Sequence, residues 1–501
     1  MKRYYVLIAL IIVLPQFIMA QNFADAFRMS HYRIQGTARS AGMGNALGAL
    51  GGDFTSLSIN PAGSAIYQTG EFVITPSYYI NQTDQTIGGR TFSDNDQSFA
   101  LNNVGAIGVF KTPRSEAGII SVNYGVGYNR LANFNSNSFA DNYESGRSYL
   151  DNIADYANSQ YDIDPITKNY LGNVIGDIQY RDWPTKLAWE NYLIDQQTDN
   201  GGNFIDGLYR PFLGDGVPVD QQRTYSTDGR IDEYVFNVSL NFNHNFYVGA
   251  TLGFYDIRYK RNILYEEFFG SGGDMAFWDD YYMDGSGFNF KLGAIYKPTQ
   301  NVRLGLAFHT PTFYEIDEES VLEMQSTRQL NGSVDAGHNY YSYNFNTPLK
   351  VVASGAAVFG KRGLISADVE YMDYGSMRFR KGGNGSDNFN DLNSVMGDVF
   401  NSVINVRLGA EYKLTNQFAV RAGYERYGNP FESTLEQQNS LTDDVSVFSG
   451  GFGYTANAFS INLAYTNTGL SASQGNPQPN YTQLPTEQSN HNILMTLGFR
   501  F

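Results

Sequence analysis

Arg303, Lys350, Asp368, Glu370, Arg407, Glu411, Arg421 and Glu425 lie inside otherwise apolar runs, each at the alternate position that the apolar residues leave open. Cations set among carboxylates can do two kinds of chemistry: hold one another in ion pairs, or hold the carboxylate of a cargo. If Thr415 to Gln417 is a three-residue hairpin loop, Arg407 lies opposite Glu425 and Glu411 opposite Arg421, giving two cross-strand ion pairs that brace a wall. Structural pairing is the plainer reading for each charge, while Arg303 and Lys350 stand as candidate ligand contacts. Catalysis has little to draw on. The histidines are His31, His244, His309, His338 and His491, and only His309, a further candidate ligand contact, falls well within a strand-like run. No Ser or Asp is placed beside it by sequence, so a nucleophile–histidine pair is not found. No zinc-type histidine spacing appears. Asp279, Asp280 and Asp284 form an acidic stretch whose ordinary state is solvation. The reading is non-enzymatic, with no metal and no cofactor.

The elements that would position these charges are strands. Ile120, Val122, Tyr124, Val126 and Tyr128 alternate with Ser121, Asn123, Gly125 and Gly127; Tyr234, Phe236, Val238, Leu240 and Phe242 alternate with Asn237, Ser239 and Asn241. A period of two puts such sets on opposite faces of a sheet. Fourteen runs of this kind lie near 71–81, 98–110, 117–129, 230–242, 246–259, 286–297, 302–314, 346–359, 364–374, 402–414, 418–427, 446–455, 459–467 and 491–501. Short connections (Asn243 to Asn245, Pro298 to Asn301, Gly360 to Gly363, Thr415 to Gln417, Ala456-Asn457) alternate with long ones near 82–97, 130–229, 260–285, 315–345, 375–401, 428–445 and 468–490. Short turns on one side and long loops on the other are the arrangement of a bacterial outer-membrane barrel. A secreted β-sandwich also alternates, but its strands are shorter and its loops show no such two-sided asymmetry.

Composition agrees. The chain has 501 residues, 37 Tyr, 35 Phe and 52 Gly, which favours strands and turns. A net charge of −16 argues against a nucleic-acid partner. The absence of cysteine excludes disulfides, thiolate metal sites and a cysteine-linked lipid anchor. Residues 1–20 read as a signal peptide: Lys2 and Arg3, an apolar run from Tyr4 to Ile18 broken by Pro15, and Met19-Ala20-Gln21 at the cut. No other run is long enough for a spanning helix, so any membrane crossing must use strands.

Residues 21–70 precede the first strand. Between Ala24 and Ile66 they do not alternate and are rich in glycine. Such a segment can fold into the lumen as a plug or hang as a periplasmic tail. Residues 71–501 form the barrel, and loop 130–229 reads as partly helical: Tyr149, Ile153, Tyr156 and Ala157 recur at helical spacing, as do Tyr170, Val174, Ile175 and Ile178. Trp183 and Trp189 in that loop, with Phe268, Phe269, Phe277 and Trp278 in the next, either build an apolar ligand groove at the outer mouth or pack on one another as a lid. The last strand carries Ile493, Met495, Leu497, Phe499 and Phe501 on one face and ends on an aromatic residue.

Thr37 to Tyr67, TARSAGMGNALGALGGDFTSLSINPAGSAIY, resembles the N-terminal hatch of the FadL/TodX/OmpP1 family of outer-membrane transporters. In that family a Gly-rich run, an acidic residue (here Asp53) and an Asn-Pro-Ala motif (here Asn60, Pro61, Ala62, followed by Gly63) come just before the first strand. His309 to Asp317 (HTPTFYEID), Asn346 to Val351 (NTPLKV) and Leu364 to Tyr374 (LISADVEYMDY) are also similar to family stretches. The resemblance implies an all-β, 14-stranded antiparallel transmembrane barrel, monomeric, with a hatch in its lumen. It implies passive uptake of hydrophobic small molecules such as long-chain fatty acids or aromatic hydrocarbons, with outer-membrane lipid and the outer-membrane assembly machinery as partners. The loop 130–229 is longer than in the best-known members. A FadL-like barrel serving as a protein-interaction or secretion-associated component is the alternative. Phe499 and Phe501 resemble the signal read by the assembly machinery, so deleting Phe501 is expected to lower the amount of heat-modifiable barrel; equal band intensities with and without it would remove that role.

Overall fold

The computed structural model describes residues 20–87, 89–113, 118–161, 182–198, 201, 204–214, 217–270, 273–328, 334–382, 389–432, 444–474 and 484–501. The signal peptide and the second helical pattern, Tyr170 to Ile178, lie outside them. Eighteen strand segments, four of which continue an interrupted strand, form one closed antiparallel barrel of fourteen strands. They are β1 (Glu71–Ile87), β2 (Arg90–Lys111), β3 (Ile119–Asn133, continuing as Ser136–Ser145), β4 (Val219–Phe242), β5 (Phe246–Phe268) and β6 (Asp274–Tyr296). Next come β7 (Val302–His309 and Phe313–Ser326), β8 (Val334–Asn346 and Lys350–Phe359) and β9 (Gly363–Asp373 and Arg378–Lys381). The wall ends with β10 (Ser402–Lys413), β11 (Phe418–Tyr427), β12 (Val445–Ala456), β13 (Phe459–Gln474) and β14 (Leu484–Arg500). Closure comes from β1 against β14, where Glu71 faces Arg500 and Phe72 faces Phe499. The Arg500 Nε–Glu71 Oε1 ion pair, 2.9 Å, fastens that seam at its lower end.

The outer face sorts itself by height. Tyr128, Tyr234, Phe254, Phe288 and Phe313 are directly paired neighbours across β3 to β7 and form one aromatic row. Below it the outward residues are apolar, down to a second set of rings that includes Phe242, Phe246 and Tyr296. On β5 the band from Phe246 to Phe254 is ~27 Å along the strand, or ~21 Å in height at a tilt of ~40°, close to the apolar band of bacterial barrels. Above the row the outward positions turn polar at once, with Asp256, Arg258 and Lys260 on β5.

The strands run further than their hydrophobic patterns. β5 has 23 residues, ~75 Å of extended chain, more than twice a ~30 Å hydrocarbon core. Much of 82–97, 260–285 and 315–345, read from sequence as loops, is therefore wall standing outside the membrane. The period-two signal fades there because the outward positions face water and no longer need to be apolar. Two runs read as continuous are broken, at Thr310–Thr312 and Thr347–Leu349. Pro311 and Pro348 lack the N–H that a ladder requires, and Thr312 and Thr347 close the gap with a mutual backbone bond of 3.1 Å.

Loop 130–229 contributes the upper part of β3, much of β4, and a cap: helix Tyr149–Tyr161, helix Trp183–Glu190 and a small hairpin, Ile194–Thr198 with Phe204–Pro211. Leu150, Ile153, Ala157, Leu187 and Leu193 pack on Tyr265, Phe277, Leu322 and Met324 from the inner wall. Glu267 holds the first helix by accepting from the Tyr149 N–H at 2.7 Å and from Tyr265 Oη at 2.7 Å.

Leu292 is on the lipid band and 47 % exposed. Leu292→Arg is expected to lower the stability of the barrel in vesicles by ~2–4 kcal/mol, read from urea-titrated folding; an unchanged midpoint would take Leu292 off the lipid.

Candidate functional site

Residues 24–67 lie inside the barrel, nearly all buried. Their folding follows from small residues and caps. Thr37 caps the turn Ala38–Ala41 through the Ser40 N–H, and its hydroxyl donates to Asp53 at 2.9 Å. Asn60 caps the 3-10 turn Pro61–Ile66, its Oδ1 accepting the Ala62 N–H at 3.2 Å, with Pro at the first position where no N–H is needed. The other end of the Asn60 amide donates to Gly48 O at 2.7 Å and to Ala294 O of β6 at 3.2 Å. One side chain thus ties two parts of the segment to the wall. Glycine is required beside it: a Cβ on Gly293 would lie 2.0 Å from Asn60 Oδ1. Pro61, Ala62 and Gly63 are buried with Asn60.

The charged wall positions point inward and grip this segment. Arg39 joins the Glu411–Arg421 pair (Arg421 Nε–Glu411 2.7 Å, Arg39 Nε–Glu411 3.1 Å). Glu411 and Arg421 are directly opposed, as are Arg407 and Glu425. The second opposition is not an ion pair. Arg407 turns to β9, with Nη1 3.2 Å from Glu370 and Nη2 3.7 Å from Asp368, while Glu425 accepts from Asn45 of the segment at 3.1 Å and from Tyr427 Oη at 2.6 Å. Two carboxylates on the neighbouring strand offer Arg407 more than one across the hairpin. Asp368 in turn accepts the Gly48 N–H.

Of the three candidate ligand contacts in the lumen, each holds protein. Arg303 donates to Leu50 O at 2.6 Å, His309 Nε2 is 2.9 Å from Ile59 O, and Lys350 is 3.4 Å from Glu370. At the mouth, Phe269 and Phe277 are in the core of the cap, with Trp183 and Trp189 packed on its side. Phe268 and Trp278 fall on the opposite strand phase and face outward, away from that core. The loop reading had put them together because alternation across 260–285 was not recognised.

Sequence reasoning missed the Lys291–Glu233 pair, both nearly fully buried. Glu233 also accepts from Tyr255 Oη at 2.8 Å and from Ser58 of the segment. Both residues sit on the polar phase of runs identified as strands, so the rule used for Arg407 would have found them. Also missed was an apolar cluster packed between the segment and the extracellular half of the wall. Tyr255, Tyr281, Met283, Tyr314, Phe345, Met377, Met396 and Phe400 belong to it. Helix Ala20–Ser30 stands in it: Phe23 meets Phe400, Phe27 meets Phe431, and the Arg28 guanidinium lies 3.8 Å over the Tyr259 ring. Tyr281, Met283 and Phe345 come from strand stretches read as loops and Met396 from a helix, Asn390–Val399, in the 375–401 loop, whereas Tyr255 and Tyr314 lie in runs read as strands.

A family model described as "Outer membrane protein transport protein (OMPP1/FadL/TodX)" matches residues 269–501. Solved barrels share the fold of nearly the whole chain. A Pseudomonas aeruginosa FadL homologue is 12% identical at a TM-score of 0.51, covering 94% of this chain and 99% of its own. The Ralstonia pickettii toluene transporter TbuX is 13% identical at 0.51, covering 93% and 99%. The Pseudomonas putida toluene transporter TodX is 13% identical at 0.50, covering 94% and 99%. No curated protein matches the sequence. The family match begins at Phe269, just past the end of β5, so for the Asn60 motif the geometry above is the independent observation.

Lys291→Met alone strands a buried carboxylate and is expected to cost ~3–5 kcal/mol. Lys291→Met with Glu233→Leu should recover most of that. A double variant as unstable as the single one in detergent-micelle unfolding would show that the pair is not what matters.

Proposed function

We propose that this barrel is an outer-membrane channel through which hydrophobic small molecules pass without an energy source, most plausibly long-chain fatty acids or aromatic hydrocarbons. The observation that carries the reading is the aromatic and methionine-rich cluster packed in the lumen against the segment that Asn60 fixes to β6. Its side chains offer dispersion contacts and adaptable packing to an apolar solute, and three of its tyrosine hydroxyls are already engaged by Glu233, Asp25 and Glu318. That two of the similar barrels are toluene transporters supports the same class of cargo.

A path follows from the wall. The β2–β3 ladder runs from Lys111–Ser121 up to Asn103–Asn129 and stops, while β2 continues to Arg90 paired with β1. β3 bulges at Arg130–Ala132 against β4, and above the bulge it meets β2 again where Asp96 and Asp94 accept from the Asn137 amide and the Phe139 N–H. This divergence is a lateral way between the lumen and the membrane for cargo that prefers lipid to water. Residues 21–70 act as a hatch in this reading, since they fill the lumen and their bonds to the wall are numerous but individually modest. The cap's apolar side chains pack on one another and on the wall, which supports a lid in preference to an open ligand groove. The chain is exported by a cleaved signal peptide into the outer membrane of a Gram-negative bacterium, is assembled by the machinery that reads its last strand, and works as a monomer.

Whole-cell uptake of a labelled long-chain fatty acid and of toluene tests the reading: deletion of the gene should lower at least one, and unchanged uptake of both ends it. Asn60→Ala should raise uptake roughly fivefold, because removing a buried bridging amide loosens the hatch by ~1–3 kcal/mol, while the heat-modifiable barrel stays intact.

A further inference from the structure

We propose that Arg230, Arg258 and Lys260, on the outer wall of β4 and β5, seat the phosphate of an anionic lipid headgroup in the outer leaflet. Strand register sets their height. The paired rings of Tyr234, Phe254 and Phe288 mark the upper edge of the apolar band. Arg230 and Arg258 stand four residues above Tyr234 and Phe254 on their strands, ~10 Å up the tilted wall, where lipid phosphates lie.

Their arrangement asks for an anion. Arg230 and Arg258 are directly opposite each other across the ladder, and like charges in that relation repel. Lys260 lies one outward position higher on β5. The protein's own acids stand close by, with Asp228 directly opposite Lys260 and Asp284 opposite Arg258. Asp232 is buried beneath Arg130 and Arg230 and takes the Nε of each, at 3.0 and 2.7 Å, which fixes the Arg230 plane. Asp256 is 3.9 Å from Arg230 and 3.5 Å from Arg258, and Asp284 is 3.7 Å from Arg258. Arg258 comes nearest to both acids at Nε, 3.5 and 3.7 Å away, and its side chain is 58% exposed, so its guanidinium is open to an acceptor from outside. Phosphate is the acceptor whose oxygens match that planar fork. The seat is on the lipid-facing wall, so the phosphate is one carried by a lipid, and the proposal stands or falls independently of what passes through the lumen.

Nanodiscs holding the full barrel test this, with lipid A, its dephosphorylated form, or inorganic phosphate as probe and retained lipid counted by native mass spectrometry. The wild type should keep lipid A through delipidation, and Arg230→Gln with Arg258→Gln should keep about tenfold less. Arg147→Gln, an exposed cap residue, is the control that should behave as wild type, and heat-modifiable mobility confirms that each variant is assembled. Equal retention by the double variant, equal retention of the dephosphorylated lipid, or saturable binding of inorganic phosphate with no lipid retained overturns the proposal.

Discussion

Hydrocarbon supplies no hydrogen bonds, so each N–H and C=O that crosses it must be satisfied by another strand, and a sheet with a free edge cannot stay there. The pairing of β1 with β14 meets that demand. It also sorts the side chains. Every second residue must tolerate lipid, so the charges of the spanning strands turn inward, and a charge in the lumen is costly unless a partner reaches it. The interior of this wall is in that sense chemically unfinished without residues 24–67.

The luminal segment completes it with small residues and backbone. The Gly48 N–H meets Asp368, the Leu50 and Ile59 carbonyls meet Arg303 and His309, and Asn45 meets Glu425. Glycine and alanine let the segment's main chain come close enough to the wall for these contacts, while Asn60 fixes its end. The lumen is thus divided by chemistry into a lower region of buried ion pairs and main-chain bonds and an upper cluster of aromatic and thioether side chains.

What was legible in the sequence tracks where lipid acts. Strand positions from Phe246 to Phe254 alternate because one face meets acyl chains, and the opposition of Arg407 and Glu425 follows from a short turn. Above the aromatic row the outward face meets water, alternation fades, and the walls that carry Tyr281, Phe277 and Glu318 read as loops. The partner of Arg407 was not legible either: register gives which residues are opposite, but the choice between Glu425 and the two carboxylates of β9 is made by geometry along three strands at once. The Asn60 motif was visible as a pattern, whereas its bridge between Gly48 and Ala294 needed the folded lumen.

The seam has a consequence for how the molecule comes into being. The luminal segment runs straight into β1 at Gly70, and β14, the strand that shuts the cylinder, gives Thr496 Oγ1 to the Ala38 N–H at 2.7 Å. The luminal segment and the closing strand therefore meet at one place. A cylinder shut without that segment inside it would have to hold its ring of inward charges against water alone.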